Sequence, residues 1–429
     1  MALTINKKTN TFEKNGKHFF YLADTCWSAF TNITDDEWEY YLDYRKNQGF
    51  NVLQINILPQ WDASATDLKY SPFERKENGD LDFYNLNQTY FEHAKSMCQK
   101  AKEQGFELAL VVLWCNYVPD TWASKLSPND RIPLDAIDNY VKMVKQTFAK
   151  FEPIYVISGD TDFNTTQTIQ YYKKTSDILR EVSPKQLQTF HIKGRYMDLP
   201  QELETRADFI MFQSGHNGKV ENMNMPITLA KHFYEIIDKP SFNSEPCYEQ
   251  MGNSGQVYGR FYEFDIRRAA WMSILSGAYS GITYGAAGIY SWHKIGKSFI
   301  SERGEGFDHP AFWNEAIHFP GAWDYGFIRH IFESYKIDKL IPNGKIIEFK
   351  NEQICCATTP QEDRIFIYLP INTQLYFNKD VSAYTIKIYD LEDGRIGYVK
   401  DINKRGKQVL ETHRFKRDVL VVLHKVERK

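Results

Sequence analysis

The sequence contains no run of about 18 apolar residues, the length that a helix needs to cross a bilayer. Its N-terminal segment lacks the apolar core and the small-residue cleavage site of a secretory signal. The 52 lysines and arginines nearly match the 55 aspartates and glutamates, so the basic excess of a nucleic-acid-binding protein is missing. We therefore expect a cytoplasmic protein with no membrane or nucleic-acid partner.

Several signatures of catalysis and metal binding are also missing. The six cysteines show no Cys-x-x-Cys spacing, so neither a disulfide framework nor a zinc site is indicated. No Gly-x-Gly-x-x-Gly follows the first predicted strand, and no Gly-x-Ser-x-Gly or His-Glu-x-x-His occurs. These absences disfavour a dinucleotide-binding sheet, a serine hydrolase and a zinc protease. We expect no cofactor and no catalytic metal.

Short hydrophobic runs alternate with helix-like stretches along most of the chain. Runs such as Phe19–Thr25 and Glu107–Trp114 have strand length, and apolar residues recur at helical spacing between them. The segment Thr34–Glu37 fits a capping box at a helix start, and the amphipathic stretch Trp313–Tyr335 predicts the last helix. Eight strands alternating with helices predict an α/β fold, a (β/α)8 TIM barrel at residues 1–342, in preference to an open doubly wound sheet.

The pattern changes after Pro342. Residues 343–429 contain only strand-length runs separated by turn signals such as Glu392–Gly394. This pattern predicts a small antiparallel β-sandwich domain. No low-complexity linker separates it from the barrel, so we expect the two parts to pack against each other.

Two carboxylates stand at the ends of predicted barrel strands. Asp160 ends the run that begins at Ile154, and Glu245 ends the run that begins at Pro240. Barrel enzymes keep their catalytic groups at the C-terminal ends of strands, and a retaining glycosidase needs two carboxyl groups roughly 5 Å apart. The pair therefore indicates cleavage of a glycosidic bond. Asp162 is a competing acid, and Glu249 is either a second acid or a sugar ligand.

Other residues at the predicted strand ends suit sugar recognition, because hydroxyl groups need polar partners and the C–H face of a sugar packs on flat rings. The predicted substrate-binding residues are Asp24, Trp27, Asn56, Trp61, Trp114, Asn116, Gln213, His216, Glu249, Tyr284 and Trp292. Arg267 or Arg268 either orients a carboxylate or forms an outer-face salt bridge. A weaker alternative is a metal site formed by Asp24, His191, His216 and His293.

Six segments of the chain resemble the apiosidase-like family of glycoside hydrolases, which comprises glycoside hydrolase family 140 and its relatives. They are Leu22–Ser28, Tyr44–Asn51, Ser158–Asp160, Asn243–Glu249, Arg267–Trp271 and Ser276–Gly285. The resemblance implies a retaining exo-hydrolase in which Asp160 is the acid/base and Glu245 the nucleophile. The C-terminal segment resembles the β domain that usually follows, sometimes labelled a collagen-binding domain, from which we infer no collagen binding.

The resemblance also implies a carbohydrate substrate, with apiose released from plant pectin side chains as the leading activity. Another pentoside or hexoside is the alternative. The lack of a recognisable secretion signal favours a small imported glycoside over polymeric pectin. The rival from a different class is a non-catalytic carbohydrate-binding barrel.

Overall fold

A parallel β-barrel forms the centre of the computed structural model, which describes residues 2–254, 257–299, 309–348, 351–399, 402–404, 406–412 and 414–425. The barrel strands, labelled β1 to β8, are Tyr21–Thr25, Val52–Asn56, Glu107–Trp114, Ile154–Gly159, Gln188–Thr189, Ile210–Phe212, Ser241–Asn243 and Gly281–Tyr284. These strands are buried along their whole length, as expected for a sheet covered by helices.

The strands are hydrogen-bonded in the order β5-β4-β3-β2-β1-β8-β7-β6, and each neighbouring pair is parallel. The ring closes between β5 and β6. There His191 and Met211 form a parallel bridge, and the backbone N of Ile192 donates to the backbone O of Met211 at 3.2 Å. The predicted TIM barrel is therefore confirmed, and the open doubly wound sheet is excluded.

In the described part of the chain, each of the eight strands is followed by one main helix of the barrel. In chain order, α1 to α8 are Asp35–Asn47, Gln88–Glu103, Ile137–Phe148, Thr166–Val182, Gln201–Glu204, Met225–Ile236, Glu263–Leu275 and Gly321–Ser334. The predicted capping box is confirmed at α1. The Thr34 side chain accepts from the backbone N of Glu37 at 3.4 Å, and the Glu37 carboxylate accepts from the backbone N of Thr34 at 2.9 Å.

The prediction of one continuous last helix is wrong. The stretch forms a short helix, Trp313–Ala316, and then α8, which begins at Gly321 after Pro320. Proline has no N–H to donate, and its ring clashes with the carbonyl of the residue four positions earlier, which here is Ala316. The short helix therefore ends where the proline requires it to end.

Smaller elements complete the barrel. The remaining short helices are Ala29–Asn32 and single 3-10 turns at Cys115–Tyr117, Ala123–Lys125, Pro128–Asp130, Ala149–Phe151, Val220–Asn222 and Gly344–Ile346. A three-stranded antiparallel sheet, Thr4–Asn6, Thr11–Lys14 and Lys17–Phe19, precedes β1. Its Phe12 ring packs against Tyr21 and Phe209, at the N-terminal ends of β1 and β6, and so covers the base of the barrel. The loop after β2 carries a hairpin, Phe73–Arg75 with Leu81–Leu86.

The C-terminal segment forms two antiparallel sheets. The larger sheet contains Ile341–Pro342, Cys355–Thr358, Arg364–Leu369, Val419–Lys425, Tyr384–Asp390 and Ile396–Val399, in that spatial order. The smaller contains Gln374–Tyr376, Lys407–Glu411 and Asn403–Lys404. These sheets confirm the predicted β module; the boundary between residues 342 and 343 stays a prediction.

Side chains alternate between the two faces of the larger sheet. Phe366 and Tyr368 pack into the barrel's hydrophobic core, whereas Ile365 and Ile367 pack into a separate core within the C-terminal segment. This period of two is that of a strand covered on both sides. The C-terminal segment is therefore packed on the barrel, against α7 in particular.

None of the helices in the described part of the chain is both long enough and apolar enough to cross a membrane. The six cysteines are buried and unpaired.

Candidate active site

A cleft opens where the barrel strands end. Asp160, directly after β4, and Glu245, two residues after β7, both line it. The cleft has about 880 Å³ of empty space when its solvent-open mouth is included, which is within the range of small-molecule sites. The two carboxyl groups predicted to act together therefore face one cavity.

Asp160 is held in place by three hydrogen bonds. The Gln213 side-chain amide donates to Oδ1 at 2.6 Å, and the Trp122 indole N–H donates to the backbone carbonyl at 2.7 Å. The backbone N–H of Asp160 donates to Nδ1 of His191 at 3.1 Å. The backbone of Asp160 is left-handed, with φ of 49°, a conformation that costs free energy and clusters at functional sites.

The residue before Asp160 has to be glycine for a steric reason. A Cβ atom on Gly159 would lie 2.0 Å from the indole ring of Trp114, so no other residue lets the ring approach this strand end. The Ser-Gly-Asp segment thus fixes both the acid and one aromatic wall of the cleft.

Glu245 lies between two imidazole rings. Nδ1 of His216 accepts from the backbone N of Tyr248 at 3.3 Å, which leaves Nε2 of His216 to donate to Oε1 of Glu245 at 2.9 Å. Nδ1 of His191 accepts from Asp160, so the His191 proton is on Nε2, 3.3 Å from Oε2 of Glu245 but without the alignment of a hydrogen bond. A single imidazole therefore touches both acidic residues.

The pKa values of the two carboxyl groups shift in opposite directions. Burial, and then the negative charge of Glu245, raise the pKa of Asp160 well above its ordinary value, although Lys193 opposes the shift. Burial alone would raise the pKa of Glu245, but the His216 hydrogen bond, with help from His191 and Tyr248, brings that pKa below its ordinary value. Such a pair contains one group suited to donate a proton and one suited to stay ionised.

Five of the predicted substrate-binding residues line the cleft: Trp27, Trp61, Trp114, Gln213 and His216. The rings of Trp27 and Trp114 lie 5.1 Å apart between centroids, and the Trp27 indole N–H donates to the Tyr248 hydroxyl at 3.1 Å. Trp61 packs edge to face on Trp122 at 5.6 Å. The cavity thus offers flat apolar walls beside its carboxyl groups.

Three other predicted binding residues lie behind the barrel strands. Oδ2 of Asp24 accepts from the Tyr41 hydroxyl and from Nε of Arg45, both at 2.6 Å and both on α1. Glu249 accepts from the Tyr284 hydroxyl at 2.6 Å and from the backbone N at the start of α8. Asp24 and Tyr284 are neighbours in strand register, so both point outward from the barrel rather than into the cleft.

The last three predicted binding residues are also absent from the cleft lining. The Trp292 indole N–H donates to Glu37 at 3.1 Å. The side-chain amide of Asn56 donates to Gln60 at 3.2 Å, and that of Asn116 donates to Asp130 at the same distance.

The remaining sequence candidates have partners of their own. Asp162 accepts from the Asn164 side-chain amide at 2.8 Å, and Arg268 is 3.4 Å from Asp265. Arg267 forms outer-face ion pairs with Asp324 and Asp418 at 2.8 and 2.7 Å.

The four residues of the alternative metal site do not gather in the structure. Asp24 is paired with Arg45, and Nδ1 of His293 is 2.8 Å from the Ser64 hydroxyl. Among the described residues, no group of three histidine, cysteine, aspartate or glutamate side chains is arranged to hold a metal ion.

Several cleft residues escaped the sequence analysis because they lie in long loops with no periodicity. They include Gln60, Asp62, Trp122, Lys193, Arg195 and Tyr290. Lys193 lies 5.5 Å from the Trp122 ring centroid and 3.7 Å from Asp162. The Arg195 guanidinium forms no hydrogen bond or ion pair with any described residue. In the sequence, Asp62 could have been singled out only because it follows Trp61, a predicted substrate-binding residue.

A closed (β/α)8 barrel with two such carboxyl groups at its strand ends defines a glycoside hydrolase. Residues 6–339 match the family described as apiosidase-like, catalytic domain, so the chain belongs to the apiosidase-like family. No curated protein matches the sequence.

Two solved structures have the same fold over nearly the whole chain. A protein titled glycoside hydrolase superposes with a TM-score of 0.80 at 20% identity, covering 100% of this chain and 98% of its own. A glycoside hydrolase family 5 structure from Bacteroides vulgatus ATCC 8482 gives 0.80 at 18% identity, covering 99% and 94%.

Proposed function

We propose that this glycoside hydrolase is a retaining exo-enzyme that releases a terminal sugar by double displacement, with Asp160 as acid/base and Glu245 as nucleophile. The observation that carries the proposal is the opposite shift of the two pKa values within one cleft. The catalytic pair of a glycosidase must contain one protonated and one ionised carboxyl group at the same pH, and the choice of a retaining mechanism for this pair rests on the resemblance to the apiosidase-like family.

In the first proposed step, a carboxylate oxygen of Glu245 attacks the anomeric carbon of the donor sugar. The bond from that carbon to the glycosidic oxygen breaks, and Asp160 gives its proton to the departing oxygen. The product is a glycosyl ester of Glu245 and a free alcohol. The hydrogen bond from His216 favours the ionised form of Glu245 before the attack.

In the second step, Asp160 has become a carboxylate and removes a proton from a water molecule. The water oxygen attacks the anomeric carbon, the ester bond breaks, and Glu245 leaves as a carboxylate. Asp160 is protonated again, so the site returns to its starting state. The Gln213 amide holds Asp160 in one position through both steps.

The leading donor sugar is apiose in a plant-derived glycoside, and another pentoside or hexoside is the alternative. The family match supports this choice. Tryptophan rings 27, 61 and 114 offer surfaces for the C–H faces of a sugar. Lys193 and Arg195 line the cleft, and the charge of Lys193 acts on Asp160, so the cleft favours a negatively charged leaving group.

We also propose that residues 343–429 brace the barrel rather than bind a ligand. The packing of Phe366 and Tyr368 into the barrel core and the buried Arg267–Asp418 pair support this role.

The first test is a turnover screen on aryl β-glycosides, β-apioside included, that compares wild type with Glu245→Ala. Glu235→Ala, at an exposed acid on α6, is the matched control. We expect release of one sugar by wild type and the control, and none by Glu245→Ala. A 2-fluoro glycoside of that sugar should leave a covalent adduct on Glu245, detected by peptide mass spectrometry. Undiminished turnover in Glu245→Ala would refute the assignment.

A further inference from the structure

A third carboxyl group faces the cleft. Asp62, in the loop after β2, lines the cavity together with Asp160 and Glu245. Its side chain forms no ion pair and no side-chain hydrogen bond with any described residue; its one hydrogen bond is from its own backbone N–H. A half-buried carboxyl group without a partner lowers stability, so a structural role does not account for it.

The position of Asp62 is nevertheless well defined. The Gln60 amide donates to the Asp62 backbone carbonyl at 3.3 Å and is itself held by Asn56. Three residues further on, the backbone N of Ala65 donates to Ser298, in the loop after β8, at 2.8 Å. The backbone of the loop is therefore held on both sides of Asp62, which keeps the carboxyl group at the cleft before any ligand arrives.

The charge environment of Asp62 also differs from that of a surface acid. Burial, with a further contribution from Glu245, raises its pKa to about 8. Asp62 in turn raises the pKa of Asp160. A carboxyl group of this kind can both donate and accept a hydrogen bond near neutral pH, as a pair of neighbouring sugar hydroxyl groups requires.

We propose that Asp62 binds two adjacent hydroxyl groups of the donor sugar and so determines which sugar the enzyme cleaves. Asp62 lines the same cavity as Glu245 and Asp160, and the anomeric carbon of the donor sugar must lie between those two groups, so Asp62 is placed to reach the donor sugar. The neighbouring Trp61 ring supplies an apolar surface next to the hydroxyl-binding group. This inference rests on the proposed glycosidase function.

The test combines protein variants with altered substrates. Asp62→Ala and Asp62→Asn are assayed on the aryl glycoside that wild type cleaves and on its monodeoxy analogues, each lacking one hydroxyl group. Asp67→Asn, at an exposed acid in the same loop, is the control. We expect Asp62→Ala to lose about 100-fold in kcat/KM on the parent glycoside, because two hydrogen bonds to the donor sugar are removed. On the deoxy analogue that lacks the bound hydroxyl, the same variant should lose about 10-fold or less.

Three results would overturn the proposal. One is an equal loss on parent and deoxy substrates, and another is no loss at all. The third is recovery of Asp62→Ala by azide with formation of a glycosyl azide, which would make Asp62 the acid/base instead. Asp62→Asn keeps the shape of the side chain and one acceptor oxygen. Its kcat/KM should therefore lie between those of wild type and Asp62→Ala, which shows that the loss in Asp62→Ala comes from weaker binding and not from misfolding.

Failure of the inference is distinguishable from failure of the proposed function. The 2-fluoro glycoside should still label Glu245 in Asp62→Ala, at a lower rate. If wild type neither turns over a glycoside nor forms an adduct, the proposed function fails. Calorimetric titration of wild type and Asp62→Ala with free apiose, xylose, arabinose and glucose then tests Asp62 alone. If the two proteins bind each of the four sugars with the same affinity, the proposed role of Asp62 is refuted.

Discussion

The acids of the cleft and the acids behind the barrel strands are neutralised in different ways. Among the described residues, Asp160, Glu245 and Asp62 form no ion pair with arginine or lysine. The Asp160 carboxyl group accepts from the Gln213 amide, and Glu245 lies against the imidazoles of His191 and His216. Behind the strands, Asp24 pairs with Arg45 at 2.6 Å, and Asp418 pairs with Arg267 at 2.7 Å. Asp24, Glu245 and Asp418 are buried, and Asp160 and Asp62 are half-buried.

The difference concerns what compensates for burial. A buried carboxylate beside a guanidinium keeps its charge and serves as a structural contact. The Arg45 guanidinium opposes the rise in pKa that burial causes at Asp24, whereas no described arginine or lysine forms an ion pair with Asp160, whose pKa rises well above its ordinary value. The candidate catalytic acids are thus the ones that combine a place in the cleft with the lack of an arginine or lysine partner; the second property alone is not sufficient, since Glu249 shares it behind the strands.

The largest effect is expected from Asp160→Asn, which removes the proposed acid/base. With a poor leaving group such as an alkyl alcohol, kcat/KM should fall by roughly 10³-fold or more, because the departing oxygen then lacks its proton. With dinitrophenol, which needs no protonation, the first step should be almost unchanged. Steady-state and burst kinetics on both substrates measure this. Equal losses on the two substrates would place the acid elsewhere in the cleft.

The same variant should change the pH profile. Activity needs Glu245 ionised and Asp160 protonated, so kcat/KM should fall at low pH through the lowered pKa of Glu245 and at high pH through the raised pKa of Asp160. In Asp160→Asn the alkaline limb should disappear on activated substrates.

Asp24→Asn should act on stability and not on catalysis. It leaves the buried Arg45 guanidinium without its counter-charge, so the free energy of unfolding should fall by about 3–5 kcal/mol. Urea denaturation measures the loss. Asp43→Asn serves as the comparison, since Asp43 is an exposed acid on α1, the helix that carries Arg45. A change in KM of the folded protein would show that Asp24 does contact substrate.

Glu249 tests whether a shifted pKa marks the active site by itself. It lies behind the strands and forms no ion pair with any residue that the structure describes, and burial raises its pKa from 4.5 to about 7, against the hydrogen bonds from Tyr284 and Gly321. The folded state then holds its proton more tightly than the unfolded state, so this contribution is present below pH 4.5 and is lost as pH rises through 7.

Glu249→Gln should remove on the order of 2–3 kcal/mol of this pH dependence and leave the activity profile in place. Denaturation of both proteins at pH 4.5 and pH 8 isolates the difference from other titrating groups. An identical pH dependence in the two proteins would contradict the shift.

The smallest effect is expected from Arg195→Ala. The guanidinium lies in the cleft without a described partner, so its loss should raise KM about 10-fold for a substrate with a carboxylate on the leaving group. A neutral aryl glycoside should be unaffected. A salt titration of wild type provides the check, since the difference between the two substrates should shrink at high ionic strength.

The sequence predicts the barrel because hydrophobic runs of strand length alternate with helical patterns. It also points to Asp160, Glu245, Gln213 and His216, because each of these residues comes at or just after the end of such a run. The direction of the Asp24 side chain could not be predicted, because successive strand residues point to opposite faces. The side chains of Tyr21 and Thr25 both contact Gln54 inside the barrel, so Asp24 must point outward. The sequence alone does not show which of two successive residues in a fully buried strand points into the barrel.

Asp62 could not be located in advance for a different reason. Its loop follows neither the helical nor the strand period, and its position depends on hydrogen bonds to a loop more than 200 residues away in the chain. Likewise, Arg267 pairs with Asp418, which is 151 positions distant. Contacts of this range follow from the closed fold and leave no local pattern.

The seam of the barrel runs through the candidate active site. His191 on the β5 side joins Met211 to close the ring, and it also lies against Glu245 beyond the seam. Gln213 reaches back across the same seam to Asp160. A partly folded intermediate with an open sheet would therefore hold both acids but leave them unconnected. Recovery of glycosidase activity during refolding would then measure the formation of the β5–β6 contact. A chain that has not yet formed this contact would be inactive.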